Sequence, residues 1–297
     1  MHVLRRVSGR VYILQGSPNT LIVADDGQAV VVDPGTGENR GTQVLEALRE
    51  LDLRLEAVVL THGHSDHVAA AAGLDAPVYA SRLCSGLVES SVLRRLAVYG
   101  GLVSEELAAM PLAEVRVDKQ VELGSKLPGG LVSISLPGHT PGHMGVVDEE
   151  SRVVAAGDAV LGERVLARFG VPFAADLEGW TRSLEKLREL AEEGYTIVPG
   201  HGPVARGRRA VAIVDANIAT VERVRSFVLK KLREKPMTLD RLAYLATVSL
   251  GSAEPTPRQL LLNRTALASV LAWLEREGLV EPVVGEEGVV WRARTNA

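Results

Sequence analysis

The stretch Thr61-His62-Gly63-His64-Ser65-Asp66-His67 constrains this 297-residue chain more than any other. It follows the apolar, β-branched run Ala57-Val58-Val59-Leu60, which reads as a buried strand. The alanine-rich segment 68–72 after it reads as the start of a helix. Three imidazoles and a carboxylate therefore sit on the loop leaving a strand's carboxyl end, where open α/β sheets place their sites. Four such groups in one short loop repel or compete unless a cation holds them, so the residue types point to a metal ion. A solvated polar loop is the plain alternative, and it explains the density poorly.

Three later segments repeat the arrangement. The run 131–136 leads into Pro137-Gly138-His139-Thr140-Pro141-Gly142-His143, the run 153–156 into Gly157-Asp158, and the run 195–198 into Pro199-Gly200-His201-Gly202. Each puts a ligand-type side chain at the end of an apolar strand, beside glycine that lets backbone approach closely. Six of the seven histidines lie in these loops, and only His2 falls outside.

The rest of the pattern supplies the frame. Segments 11–14, 20–24 and 29–32 read as strands, the last two joined by the tight turn Asp25-Asp26-Gly27. A helix is expected over 41–51, and another from a Ser81 cap through the 87–96 region. Further strands are expected at 114–117, 131–136, 145–147 and 153–155, then a helix with Asp176 as N-cap and Leu177, Trp180, Leu184, Leu187 and Leu190 as its stripe. Strands and helices in this order predict a sheet-rich α/β layering with helices outside.

After Arg206 the pattern turns helical. Helices are expected at 238–246 and 264–277, with Gly278 at a C-cap position, then a β-hairpin across Gly285-Glu286-Glu287-Gly288. Residues 1–205 carry 18 basic against 27 acidic side chains, and residues 206–297 carry 15 against 10. That shift supports two domains, 1–205 and a small winged-helix-like 206–297. The single cysteine, Cys84, excludes an internal disulfide framework and argues for a reducing compartment, so a cytoplasmic protein is expected. It falls in a helix expected to lie away from the ligand loop. Nothing resembles a secretory segment or a bilayer span, so no membrane partner is expected.

His62-Gly63-His64-Ser65-Asp66-His67, followed by His139, Asp158 and His201 in that order, resembles the metallo-β-lactamase superfamily. The resemblance covers about the first two-thirds of the chain, including Asp33-Pro34-Gly35. It implies a four-layer αββα sandwich with metals at one edge of two facing sheets. It further implies that His62, His64 and His139 hold one divalent ion, that Asp66, His67 and His201 hold a second, and that Asp158 bridges both. Zinc suits imidazole and carboxylate donors, with iron or manganese as alternatives. A hydroxide shared by two ions would be the nucleophile. Asp66, Asp158 and His143 are the catalytic candidates, His143 as a supporting or substrate-facing group. Asp33 is expected to support the motif loop by hydrogen bonding, and Thr61 and Thr140 to cap it.

His64 stands where the flavodiiron branch carries Glu, and Asp158 is a carboxylate that β-lactam-degrading members generally lack. The pattern is similar to the glyoxalase II, ribonuclease Z and lactonase side of the superfamily. About forty residues separate Asp158 from His201, which leaves no room for the inserted domain of the β-CASP nucleases. The tail, chiefly 274–280, resembles that of lactamase-like proteins with a winged-helix-like end, a group that includes a single-strand-specific endoribonuclease. The expectation is a metal-dependent hydrolase of ester-type bonds: phosphodiester, thioester or lactone. Its substrate would be a small-molecule ester or thioester, or a single-stranded nucleic acid, with homo-oligomerisation open. The competing readings are an endoribonuclease, a mononuclear-iron sulfur dioxygenase, and a nucleic-acid-binding regulator with a vestigial site. Arg164, Arg168, Phe169 and Phe173, on the segment after Asp158, are candidate substrate contacts, with an ordinary surface loop as the alternative.

Overall fold

The computed structural model describes residues 3–108, 113–251 and 254–294; His2 lies outside them. Seven strands form one sheet in sequence order: β1 (Leu4–Ser8), β2 (Val11–Leu14), β3 (Thr20–Asp25), β4 (Gln28–Val32), β5 (Arg54–Val59), β6 (Val78–Ser81) and β7 (Lys119–Val121). The first four pair antiparallel and the last four parallel. A second sheet of β8 (Val132–Ser135), β9 (Met144–Asp148), β10 (Val153–Gly157) and β11 (Thr196–Pro199) has the order β11-β10-β9-β8.

Strand periodicity explains how the two sheets stack. In β4, Val30 and Val32 face one apolar cluster while Ala29 and Val31 face another. In β10, Val153 and Ala155 join the cluster of Val30 and Val32, and Val154 and Ala156 point the other way. Alternate side chains of each sheet thus meet between the sheets, and the rest are left for helices to cover.

On the outer face of the large sheet lie α1 (Arg40–Glu50), the motif's own short helix α2 (Ser65–Val68) and α3 (Arg82–Glu89), through Val44, Leu48, Val68 and Val88. α4 (Ser91–Tyr99) and α5 (Glu105–Ala108) follow. On the outer face of the small sheet lie α6 (Glu163–Phe169) and α7 (Leu177–Glu192). Asp176 caps α7, accepting from Gly179 N at 3.0 Å. Trp180 on α7 is wholly buried and donates Nε1–H to the Ala159 carbonyl at 2.7 Å; losing such a ring costs about 3–5 kcal/mol. Helices, sheet, sheet and helices give the expected αββα layering.

Two expectations need correction. Residues 114–117 form no strand, and the ladder moves on to β7. Val115 N bonds the Val88 carbonyl and Val117 N the Glu89 carboxylate, so this stretch is tied to α3 and not to a neighbouring strand. The single helix expected after Ser81 is two, because Ser90 leaves the helical region at φ −132° and its hydroxyl caps α4 by accepting from Leu93 N.

The chain continues as α8 (Arg208–Glu234), α9 (Leu239–Leu250) and α10 (Pro257–Arg276), with a three-stranded antiparallel sheet of β12 (Met237–Thr238), β13 (Val280–Gly285) and β14 (Gly288–Ala293). α10 begins seven residues earlier than its apolar stripe suggested, where Thr256 caps it and Pro257 takes the first helical position. Residues on both sides of position 206 share one core: Leu136, Val154 and Trp180 belong to the same apolar cluster as Val221, Leu267, Leu274 and Val280. α10 also reaches α4, where Thr265 Oγ1 donates to the Val98 carbonyl at 2.8 Å. Among the described residues, no helix is long and apolar enough to cross a membrane.

Candidate metal centre

Each expected ligand leaves the carboxyl end of a strand at the same edge of the sandwich. Beyond β5, Gly63 passes so close to α3 that a Cβ would lie 2.6 Å from Leu87 Cβ. His64 then begins α2, which carries Asp66 and His67 in its single turn. Beyond β8, Gly138 at φ +124° would place a Cβ 2.2 Å from Trp180 N, so only glycine lets the chain turn His139 inward. Asp158 directly follows β10. His201 follows Gly200, which is pressed against the cluster itself: a Cβ there would lie 2.5 Å from Asp158 Oδ1.

The ligand atoms fall into two groups. His62, His64, His139 and Asp158 offer donor atoms all within 4.8 Å of one another, and so do Asp66, His67 and His201. Asp158 lies between them, with Oδ1 3.5 Å from His67 Nε2 and Oδ2 3.5 Å from His139 Nε2 and 3.6 Å from His201 Nε2. Asp33, His62 and His67 form a third close group. Asp33 is already committed, however: Oδ1 accepts from Thr61 N at 2.8 Å, and Oδ2 accepts from Thr61 Oγ1 at 2.6 Å and His67 Nδ1 at 2.8 Å. It orients ligands and does not join them.

Those hydrogen bonds assign the protons. His67 gives its Nδ1 proton to Asp33, so Nε2 is the atom left to take a metal ion or, without one, a second proton. The Thr61 hydroxyl proton goes to Asp33, so the 3.0 Å contact of Thr61 Oγ1 with His62 Nδ1 is a donation from the ring, and His62 Nε2 is bare. His139 Nδ1 donates to the Phe173 carbonyl at 2.9 Å, which bares Nε2 only 3.0 Å from His64 Nδ1. His201 Nδ1 meets Ser17 Oγ at 2.8 Å and its Nε2 faces Asp66 Oδ2 at 3.0 Å.

These donors fit metal ions. His62 Nε2, His67 Nε2 and Asp158 Oδ1 are buried without a hydrogen-bond partner, as is His64 Nε2. Orphaned buried polar atoms are costly, and His67 Nε2 facing a carboxylate oxygen at 3.5 Å calls for positive charge there, a second proton on the metal-free ring or a metal ion in its place. Burial, with help from neighbouring imidazoles, holds His62 well below the usual histidine range and His64 down to about 3, keeping both neutral. His139 is lowered, chiefly by burial. Burial also acts against charge on His67, but Asp158 and Asp33 outweigh it and raise that group well above its ordinary value; Asp158 and Asp66 likewise raise His201. Burial opposes ionisation of Asp158, yet His201 and His67 hold its carboxyl well below the usual range. The carboxylates draw positive charge into the cluster, and the remaining imidazoles stay free to ligate.

Of the two roles expected for His143, supporting or substrate-facing, the structure matches the first. His143 is fully buried, stacks on His62 at 4.9 Å, and accepts the Asp158 backbone N–H on Nε2 at 3.2 Å. It supports the Asp158 turn from behind and does not line the cleft. Thr61 caps the motif loop as expected, whereas the Thr140 hydroxyl has no partner among the described residues. Cys84, on α3 directly behind the loop and not remote from it, is buried, and burial pushes its thiol up to about 12.

A cleft of about 500 Å³ opens over the ligands. His64, Asp66, His139, Asp158 and His201 form its floor, and Arg164, Arg168, Phe169 and Phe173 line it. Other lining residues were not legible in the sequence: Val98 and Tyr99 from α4, and Arg258, Gln259, Leu262 and Asn263 from α10. Ser17 also reaches the cleft; its Gly-Ser-Pro turn at the end of β2 marks the loop but gives no hint of His201.

A family model described as the metallo-beta-lactamase superfamily matches residues 14–201. The chain is 30% identical over 188 residues to hydroxyacylglutathione hydrolase GloC of Haemophilus influenzae, covering 62% of this chain and 84% of that one. It is also 30% identical over 194 residues to the atrochrysone carboxyl ACP thioesterase of Aspergillus fumigatus, covering 64% of this chain and 52% of that one. A metallo-beta-lactamase family protein of Thermus thermophilus has the same fold, with a TM-score of 0.70 over 99% of this chain and 98% of that one at 20% identity.

Proposed function

The chain belongs to the metallo-beta-lactamase superfamily, and we propose that within it the protein is a hydrolase that uses two divalent metal ions, zinc by preference, to cleave thioesters. The observation that carries this reading is the position of Asp158, a buried carboxylate within 3.6 Å of ligand nitrogens from both groups, beside orphaned imidazole nitrogens. When bound, such ions supply a hydroxide at neutral pH and polarise the scissile carbonyl.

The protein's own groups set the geometry. His62, His64 and His139 would hold one ion, Asp66, His67 and His201 the other, and Asp158 would serve both. Asp33 fixes the proton on His67 directly and that on His62 through Thr61. The Phe173 carbonyl does the same for His139, while His143 positions Asp158 through its backbone. Asp66 faces the cleft, but His201 holds its carboxyl below the ordinary range against the effect of burial, so it donates no proton near neutrality. A thiol, with a pKa of roughly 8.5, leaves as the thiolate without an acid to protonate it. That requirement suits this cleft, and the two curated relatives are named for a hydroxyacylglutathione hydrolase and an ACP thioesterase. Residues 206–297 read as a winged-helix-like domain whose α10 helps wall the cleft.

Release of thiol from short acyl thioesters, beside cleavage of single-stranded RNA and of a lactone, tests the reading. Metal-dependent thiol release that disappears on chelation and returns with zinc is the expected result. RNA cleavage without thiol release would overturn it.

A further inference from the structure

The wall of the cleft has two chemical characters. One side is apolar and begins at the ligands: the Phe173 ring lies 5.5 Å from that of His64 and 5.6 Å from that of His139, and Val98, Tyr99, Val171 and Leu262 extend the surface. The other character is cationic. Arg164 and Arg168 come from α6 and Arg258 from the first turn of α10, and all three are exposed and line the same cleft. Among the described residues, the only carboxylates lining it are Asp66 and Asp158, both within the ligand groups.

Local physics disfavours cations at two of these positions, while Arg168, in the last turn of α6 and over the Phe169 ring, is favourably placed. Arg164 and Arg168 are four residues apart on one helix, where like charges repel. Arg258 stands at the amino end of a 20-residue helix whose first turn contains no acidic residue, against the sign of the helix dipole. Several exposed arginines elsewhere are neutralised: Arg182 and Arg276 pair with Glu178, and Arg188 with Glu192 and Asp215. Among the described residues, none of the three cleft arginines pairs with a carboxylate. Three such guanidinium groups around one concave site are suited to bind an anion with several charges.

We propose that the cleft takes thioesters with an apolar acyl group and a thiol carrier bearing phosphate, the acyl group resting on the Phe173 wall and the phosphates on Arg164, Arg168 and Arg258. This rests on the hydrolase reading for the bond that is cut, but the anion site itself does not depend on it. The C-terminal α10, through Arg258 and Leu262, contributes to both sides of the recognition.

Binding of stable thioether analogues to the metal-loaded full chain tests the proposal. S-hexyl coenzyme A carries the phosphates, S-hexyl pantetheine lacks them, and S-hexyl glutathione replaces them by carboxylates. The coenzyme A analogue is expected to bind at least about tenfold more tightly than the pantetheine analogue, with the advantage falling as salt rises. Arg258→Ala should reduce that advantage by about three- to tenfold, and Arg164→Ala/Arg168→Ala should remove most of the remainder. These side chains are exposed, so unchanged thermal midpoints check folding. Equal binding of the coenzyme A and pantetheine analogues, tightest binding of the glutathione analogue, or preferential binding of a single-stranded oligonucleotide would each overturn the proposal. Wild-type hydrolysis of a neutral acyl-pantetheine thioester is measured in parallel. If that fails while phosphate preference persists, the hydrolase reading falls and the anion site stands.

Discussion

Asp33 accepts the Nδ1 proton of His67 at 2.8 Å, with both side chains buried. The same Asp33 oxygen accepts from Thr61 Oγ1, whose own lone pair receives the His62 proton. One carboxylate that is not itself a ligand therefore sets the tautomer of an imidazole in each ligand group. Asp33 can do this because it follows β4 at φ +50°, a left-handed conformation that aspartate tolerates better than most residues.

Replacing Asp33 by Asn removes the charge and sets an amide NH2 against a donor: Thr61 N–H if the amide oxygen keeps the Oδ2 position, Thr61 Oγ1 and His67 Nδ1 if it does not. In both orientations the hold on the His67 Nδ1 proton and on the motif loop weakens. Asp33→Asn is expected to lose about 10–100-fold in metal affinity while keeping its fold. Competition with a chromophoric chelator measures the loss, and wild-type affinity in the variant would refute the assignment.

Gly200 is a steric requirement and not a conformational one. Its N–H bonds the Gly157 carbonyl at 2.8 Å and its carbonyl accepts from Asn19 N at 2.8 Å, so the backbone is held on both sides. A methyl group there would meet Asp158 Oδ1 at 2.5 Å and His67 Cε1 at 2.6 Å. Gly200→Ala should cost about 1–3 kcal/mol of stability from overpacking. It should also lower metal affinity by about tenfold or more, since supporting geometry is lost. Calorimetric melting with and without metal separates the two effects. Full metal affinity would show that the cluster does not depend on this close approach.

The metal-free protein should weaken in acid. His62, His64, His139 and His143 are lowered, so each contributes stability above its unfolded value near 6.5 that is lost as pH falls below it. His67 and His201 are raised, with the opposite sign: their contribution is present below 6.5 and lost as pH rises through their folded values. Below about pH 6.5 the unfolded chain takes up protons at all six positions, whereas the folded chain excludes them from four, so net stability falls with pH. Melting temperatures of chelator-treated protein should drop from about pH 7 to about pH 5. A rise over that interval would contradict the protonation pattern.

The candidate ligands were legible in the sequence because their signals are local: an apolar strand, then imidazoles or carboxylates, with glycine directly before His64, His139, Asp158 and His201. The layering was legible in outline from the order of strands and helices, and its four-layer form only from the family resemblance, because β4 and β10 are apolar on both faces and show no alternation in the sequence. The cleft's upper wall was not, because it depends on tertiary contacts such as that between Thr265 and Val98, 167 residues apart. His143 shows the limit within a motif. It shares the loop of His139, yet its ring turns behind His62 and not towards the cleft, a difference that residue spacing does not encode. Strand 114–117 failed because α3 offers its backbone and Glu89 as partners, which no β-propensity reveals.

Metal content of the purified protein tests the central claim most directly, since Asp158 is argued to serve two ions. Elemental analysis after zinc loading and removal of excess should give two equivalents per chain for the wild type. Asp158→Asn should hold one or fewer, with thioester hydrolysis abolished. A wild-type protein that saturates at a single equivalent while hydrolysing thioesters at full rate would contradict the two-ion account.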